Sequence, residues 1–491
     1  MTQRRRGQKK QRKSNLVFLV FCLVIILLVL GLMAFAVLFS EIGLVDVLPD
    51  SVAPSVSTPA AEDTAASTPP TEETTPSATE PTTEPTEPPI TLVSKASVAA
   101  TGDILMHMPC IRGGQLSDGS YDFSHYFRYI MDYVQQADYA VANLETTLCG
   151  TDNGYDYSGY PAFNCPDGIV PSLRDAGFDM MLTANNHCYD TRTKGFHRTQ
   201  QVLTEAGLEY IGTVSSETDA QYKLVDINGI RLGMVCYTYE TNSDPAVVAP
   251  NGITMTQADS KLINSFHVQD LPGFYARIED QIQDMEAEGA EGIVLFIHWG
   301  EEYQLQENQT QNAIAQKMCD LGVDVIVGGH PHVIQPMELL TSGVDDSHKT
   351  LCLYSTGNAL SNQRRAAMRL DTGHTEDGVL FTFSFAKYSD GTVRVEQAEL
   401  MPTWVNKYRS SATGKDVYEI YPLDLQIEDW KTQMDMTEST EQNARSSRER
   451  TMAIVGAGLE QIQSYLNSLP PIATAADETL DTSPAEGVTV P

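Results

Sequence analysis

The chain has 491 residues, 42% of them apolar, which is enough to bury a substantial core in one large domain or two ordinary ones. Its formal net charge is −33, with 65 acidic residues against 32 basic ones. A surface that acidic excludes nonspecific nucleic-acid binding, which depends on clustered Lys and Arg, and an anionic substrate would need a local positive centre such as a metal ion.

The basic residues are unevenly spread. Seven of them crowd the first 13 residues, ahead of any acid. Residues 1–15 therefore read as a basic cytoplasmic tail. Residues 16–39 form an unbroken apolar run of 24 residues. As a helix it would be about 36 Å long at 1.5 Å per residue, against a bilayer core of about 30 Å. Basic residues before such a run stay inside, so the expectation is one transmembrane helix at the cell membrane, with the N-terminus cytoplasmic and the C-terminal domain extracellular. A cleaved signal peptide is the rival reading, since Ala34-Phe35-Ala36 resembles a cleavage site. The run is nevertheless longer than a typical signal core of roughly 7–15 residues.

Residues 40–93 read as a Thr/Pro/Glu-rich linker, and from about residue 50 to 89 it has almost no large apolar side chain. Such a segment cannot bury a core and is expected to form a disordered stalk. Seven cysteines lie beyond the apolar run, an odd number that cannot all pair, and none form Cys-x-x-Cys. Cys149 and Cys165 flank one loop, and a bridge between them is one option.

Strand-like and helix-like segments then alternate over 94–402. A strand at 97–101 ends in Gly102-Asp103. Helical spacing covers 123–136. A strand at 139–143 leads to Glu145. A helix at 166–176 precedes a strand at 179–183 that ends in Asn185-Asn186-His187. A helix spans 192–206, and strands at 223–227 and 230–237 flank Asn228-Gly229, a hairpin turn. A helix at 274–288 precedes a strand at 292–297 that runs into His298-Trp299-Gly300. A helix at 310–321 precedes a strand at 323–327 that runs into Gly328-Gly329-His330-Pro331-His332. Further strands fall at 350–354, 379–386 and 392–399. This alternation predicts an α/β domain with mixed sheets. Beyond residue 402 the pattern weakens, so 403–470 reads as an extension with one helix at 446–466, and 471–491 as a loose tail.

Five strand ends carry potential metal ligands: Asp103, then Glu145, then Asn186 with His187, then His298, then His330 with His332. In open α/β sheets the sites form where strands end, so residues far apart in sequence can converge. Each element has a structural reading of its own. Gly102-Asp103 suits a turn, and His298 beside Trp299 suits a satisfied buried histidine. Five such endings together favour one site. Mixed carboxylate, amide and imidazole ligands suit Mn, Fe or Zn rather than thiolate-preferring ions. A bridging carboxylate can hold two divalent ions about 3.5–4 Å apart and activate a water between them. A histidine that does not ligate can then protonate a leaving group.

The stretches ATGDILMH, ANLETTLCG, YPAFNCPDGIVPSLRDAGFDMMLTANNHCYD, FIHWGEEY, VDVIVGGHPHVIQPMEL and LYSTGNAL resemble the poly-gamma-glutamate capsule biosynthesis (CapA) family of the calcineurin-like metallophosphoesterase superfamily, over residues 97–362. The resemblance implies an α/β/β/α sandwich with two metal ions. Asp103 and His332 would hold the first, Glu145 would bridge, and Asn186, His298 and His330 would hold the second. His187 matches the catalytic histidine, and Asp190 would orient it. The resemblance further implies a membrane-anchored role in capsule or cell-envelope polymer synthesis or export, with capsule synthase components and an anionic polymer as partners. The alternatives are a non-catalytic capsule assembly scaffold and a phosphoesterase with an unrelated substrate. Two positions depart from the superfamily pattern. Its first motif is Asp-x-His, but residue 105 is Leu, so the first metal is expected to be weakly held, exchangeable or absent. His107 could replace that imidazole only if the chain turns, since four residues of straight strand span about 13 Å. The bridging position carries Glu rather than Asp.

Overall fold

The computed structural model describes residues 90–470 apart from Asn153. The basic tail, the apolar run, the stalk up to residue 89 and the tail at 471–491 lie outside the described residues. Among the described residues no helix is long and apolar enough to cross a membrane.

Two mixed sheets form the domain. The first contains β1 (Leu92–Ile104), β2 (Tyr139–Leu144), β3 (Met180–Leu182) and β4 (Glu209–Ile211), all parallel. The second is built on β5 (Lys223–Ile227), β6 (Ile230–Tyr239), β7 (Ser265–Phe266), β8 (Gly292–His298), β9 (Val325–Gly329), β10 (Ile334–Thr341) and β11 (Lys349–Thr356), in the order β10-β11-β9-β8-β6-β5 with β7 on β6. The chain then returns to the first sheet through β12 (Asn358–Leu360), β13 (Asp377–Tyr388), β14 (Val393–Arg409) and β15 (Asp416–Pro422). That sheet runs β15-β14-β13-β1-β2-β3-β4, with β12 paired to β1.

The alternation of side chains along each strand builds the layers. Val98 and Ala100 of β1 face a shared core with Val294 and Phe296 of β8 and Phe381 of β13. The residues between them face outward. Ala99, Ala140 and Met181 pack against the helix Ile169–Ala176, while Ile293, Leu295 and Ile297 pack against the helices Leu271–Ala287 and Gln309–Asp320. Each large apolar side chain buried this way contributes about 1.5–3 kcal/mol relative to exposure. The result fits an α/β sandwich with helices outside and two sheets between.

Three features differ from the sequence reading. Segment 123–136 is not one helix but a 3-10 turn, Ser124–Tyr126, and a short helix, Met131–Val134. Its apolar spacing is real, since Phe123, Tyr126, Phe127, Ile130 and Val134 are all buried. The Asp122 carboxylate, however, accepts the Ser124 amide at 2.9 Å, and aromatic residues propagate a helix poorly. Second, β14 continues through Pro402 to Arg409, whereas the sequence reading ends this strand at 399. There the Pro402 carbonyl accepts from Leu423 at 2.8 Å, and β15 pairs with the following residues. Third, the C-terminal helix spans Glu438–Ser468, starting well before residue 446, with Thr437 as its N-cap. It inserts Val455, Leu459, Ile462 and Leu466 into the core between the sheets. The described cysteines, Cys149 and Cys165 included, form no disulfide.

Candidate metal centre

Strand register brings the site together. Asp103 of β1 lies beside Asn143 of β2 and Asn358 of β12, and His298 of β8 lies beside Gly329 of β9. Gly102 makes this possible, because a Cβ there would meet the Gly357 carbonyl oxygen at 1.9 Å. That closeness lets the Asp103 amide donate to the same carbonyl at 3.0 Å. Glu145 follows β2, Asn186 and His187 follow β3, and His330 and His332 follow β9. The last two hold backbone φ of 95° and 55°, a left-handed region that non-glycine residues seldom adopt. Such strain costs on the order of 1–3 kcal/mol and concentrates at functional sites.

The side chains from these five strand ends converge. Atoms of Glu145, His330 and His332 that could ligate a metal all lie within 4.8 Å of one another. His332 Nδ1 is 3.1 Å from Asp103 Oδ2, and His332 Nε2 is 3.8 Å from Glu145 Oε1. His298 Nε2 sits 2.9 Å from Asn186 Oδ1 and 3.5 Å from Glu145 Oε1. All of these side chains are buried.

Both Glu145 carboxylate oxygens and His330 Nδ1 are buried with no hydrogen-bond partner. Leaving a buried polar group unpaired costs about 1–3 kcal/mol, and more when it is charged. Three such atoms beside one another fit a cation. At His330 the electrostatics favour ligation too. Burial, with His298, His332 and His187 nearby, pushes the His330 imidazole well below its usual range, so it stays neutral with a free lone pair. Burial lowers His332 as well, but the Glu145 and Asp103 charges outweigh it and raise the ring to about 9. Burial works to raise the Asp103 carboxyl, yet His332, His298 and the Asn143 amide hold it below the usual range.

His187 belongs to a second arrangement at the same mouth. Its Nδ1 is 2.7 Å from Asp190 Oδ2. Burial pushes the imidazole down, but the Asp190 hydrogen bond and charge, with Glu145, raise it overall. Asp190 also accepts from the Phe163 amide at 2.6 Å and from Asn251 Nδ2 at 3.1 Å. Two other segments thus hold one carboxylate, and the carboxylate holds His187.

His107 is not in the Glu145–His330–His332 cluster. The chain does turn after β1, with the His107 amide donating to Leu105 at 2.9 Å. Its ring Nδ1 lies 3.1 Å from the Leu105 carbonyl and accepts the Asn362 amide at 3.3 Å. The Phe163 ring stands edge-on between His107 at 5.2 Å and His187 at 4.7 Å. Burial pushes His107 down to about 4. Leu105 itself is a buried apolar residue.

Several contributors escape sequence reasoning. Tyr239 packs against His330 with centroids 4.6 Å apart, and Tyr303 lies 6.2 Å from His332. Asn251 sits in a loop with no local signal. Asn143 and Asn185 carry the signal of standing next to assigned residues, in Asn-Leu-Glu and Asn-Asn-His.

The family described as bacterial capsule synthesis protein PGA_cap matches residues 97–363, just over half of the chain. The capsule biosynthesis protein CapA of Bacillus anthracis is 28% identical over 274 residues, which is 55% of this chain and 60% of that protein. The PGA biosynthesis protein CapA of Bacillus subtilis (strain 168) is 24% identical over 276 residues, covering 56% and 64% respectively. The chain therefore spans less than two thirds of either curated relative. Among solved structures, TT1561 of Thermus thermophilus is similar at 8% identity and a TM-score of 0.31, covering 58% of this chain and 94% of that one. The span of the family match establishes that the chain belongs to the bacterial capsule synthesis protein PGA_cap family.

Proposed function

We propose that this chain is a membrane-anchored, extracytoplasmic, metal-dependent hydrolase-type protein acting in synthesis or export of a poly-gamma-glutamate-like cell-envelope polymer. The unpartnered, buried Glu145 carboxylate beside His330 and His332 carries the reading. Family membership and the names of the CapA relatives support the polymer. The residues present fit divalent transition ions, Mn, Fe or Zn, and two of them by the metallophosphoesterase resemblance. Glu145, His330 and His332 would hold metal, with Asp103, Asn186 and His298 completing the set. Bound metal would supply an activated water and offset charge at the attacked centre. Asp103 fixes the His332 ring through the 3.1 Å contact. Asp190 holds His187 through the 2.7 Å contact with Nδ1, which leaves the other ring nitrogen to protonate a leaving group. Anchoring rests on residues 16–39, and capsule synthase components at the membrane are the expected partners.

A scaffold without turnover is the second reading. It is favoured by Leu105, which puts a buried apolar side chain where the superfamily pattern has an imidazole.

Metal analysis of the detergent-solubilised full chain tests the proposal. His330→Ala and His298→Ala should lower the content of transition metal. His267→Ala and His348→Ala should not, since those rings bond to the backbone carbonyls of Asn242 and Val323. Unchanged metal in both of the first pair refutes the assignment. If Glu145→Ala strips the metal while polymer export in cells continues, the scaffold reading replaces the hydrolase. For the topology, external protease on intact cells should cut the Thr/Pro-rich segment and release a large fragment, and full resistance would sink it.

A further inference from the structure

A line of buried amides connects Asp103 to the backbone of His187. The His187 backbone N–H donates to Asn185 Oδ1 at 3.2 Å. Asn185 Nδ2 donates to Asn143 Oδ1 at 3.0 Å, and also to the Leu144 carbonyl at 3.0 Å. Asn143 Nδ2 donates to Asp103 Oδ1 at 2.7 Å and lies 3.3 Å from His298 Nδ1. Asn143 and Asn185 are both buried.

The three bonds run in one direction. Every donor points toward the Asp103 carboxylate, so each amide polarises the next, and the chain ends on an anion. The orientation is fixed by its neighbours rather than by choice. Turning the Asn143 amide over would set its oxygen against Asp103 and its NH2 against the NH2 of Asn185. Turning Asn185 would lose both the His187 amide and the Leu144 carbonyl. Asn143 therefore has a single arrangement, and in it one NH2 group addresses two assigned ligands from different sheets, Asp103 of β1 and His298 of β8.

We infer that Asn143 is a positioning residue that aims Asp103 and His298 together, and that Asn185 relays this order to the backbone of His187. The inference rests on the metal-centre reading above. The Asn143 oxygen accepts from Asn185 and the Asn185 oxygen accepts from the His187 amide, so both are engaged within the line and neither is assigned as a ligand. They act on the orientation of groups that are. Partners that orient ligands in this way typically change metal affinity by about 10–100-fold when removed.

The test is Mn²⁺ affinity of the full chain in detergent, by competition with a chelating dye, at a temperature where circular dichroism shows every variant folded. Asn143→Leu should weaken Mn²⁺ binding by about 10–100-fold, and Asn185→Ala by less than about tenfold. The double variant should be no weaker than Asn143→Leu alone, because a relay has one end. If Asn143→Leu does not fold, Asn143→Ser carries the same test. Affinity within about twofold of wild type in the folded Asn143 variant overturns the inference, and so do additive losses in the double variant. Absence of Mn²⁺ binding by the wild type overturns the metal reading itself, and this inference with it.

Discussion

Two buried carboxylates make the useful comparison. Asp377, where β13 begins, is 1% exposed, and Glu145, after β2, is 0% exposed. Asp377 is fully answered by the protein. Ser447 donates to it at 2.6 Å, and the Arg450 guanidinium at 3.0 and 2.7 Å, all from the C-terminal helix. Glu145 has only imidazoles at 3.5 and 3.8 Å and no hydrogen bond. Both acids face the same desolvation problem. In one place the chain supplies the counter-charge and thereby docks a helix. In the other it places imidazoles around the charge, with His332 raised to about 9 beside it, but gives neither carboxylate oxygen a hydrogen bond. The first arrangement is structural; the second is what the proposed metal site requires.

The sharpest break comes from Glu145→Gln, which keeps shape and removes charge. Metal content should fall to background, with any metal-dependent turnover lost. The metal-free chain should be as stable as wild type or more so, since an unanswered buried charge is gone. A marked loss of thermal stability in the metal-free protein would show that Glu145 is structural after all. Beside it, His187→Asn should retain metal and fold while turnover drops by about 10²–10⁴-fold, the usual contribution of a positioned acid. The drop should be smallest for substrates with good leaving groups.

How much of this was legible before folding follows from where the signal lies. Glu145, His298, His330 and His332 each close an apolar run, and parallel strands deliver their ends to one place, so the sequence points at them. Asn251 and Tyr303 reach the site only through loops whose paths are set by the whole sheet, and no spacing reveals them. The Asp377–Arg450 contact is hidden for the same reason, its partners standing 73 positions apart. The strand read as ending at 399 runs on through Pro402, because a strand tolerates proline where its carbonyl alone is needed. The spacing over 123–136 reports which side chains are buried and not which backbone buries them.

Arg450→Met would convert Asp377 into a second Glu145, without the ligands. Breaking one side of a buried pair costs about 3–5 kcal/mol, and the Arg450 side chain, 26% exposed, places this one at the lower end. The effect should depend on pH. Burial raises the Asp377 carboxyl to about 6 even with Arg450 beside it, and losing that cation raises it further. An acid whose folded value is raised loses stability as pH climbs through that value. Urea midpoints of wild type and variant should therefore nearly coincide near pH 4 and separate by pH 7.5. Equal separation at both values would mean that Arg450 acts by packing rather than by charge. Metal content should be unchanged throughout.

The smallest expected effect asks how far the C-terminal helix is held by its end rather than by its middle. Thr437 caps it, its hydroxyl accepting the Thr440 amide at 3.1 Å. Replacing such a cap with alanine typically costs about 0.5–2 kcal/mol. Here the first turn is largely exposed, while the contacts that matter come later, at Ser447 and Arg450 and then at Val455, Leu459 and Ile462 in the core. Fraying of the first turn can stop before it reaches them. Thr437→Ala should therefore lower the urea midpoint slightly, at the low end of that range, and leave the Asp377 pH response and the metal content intact. If Thr437→Ala instead reproduced the pH response of Arg450→Met, the helix would be docking as one unit from its first turn. The Asp377 pair would then be one consequence of that docking and not its cause.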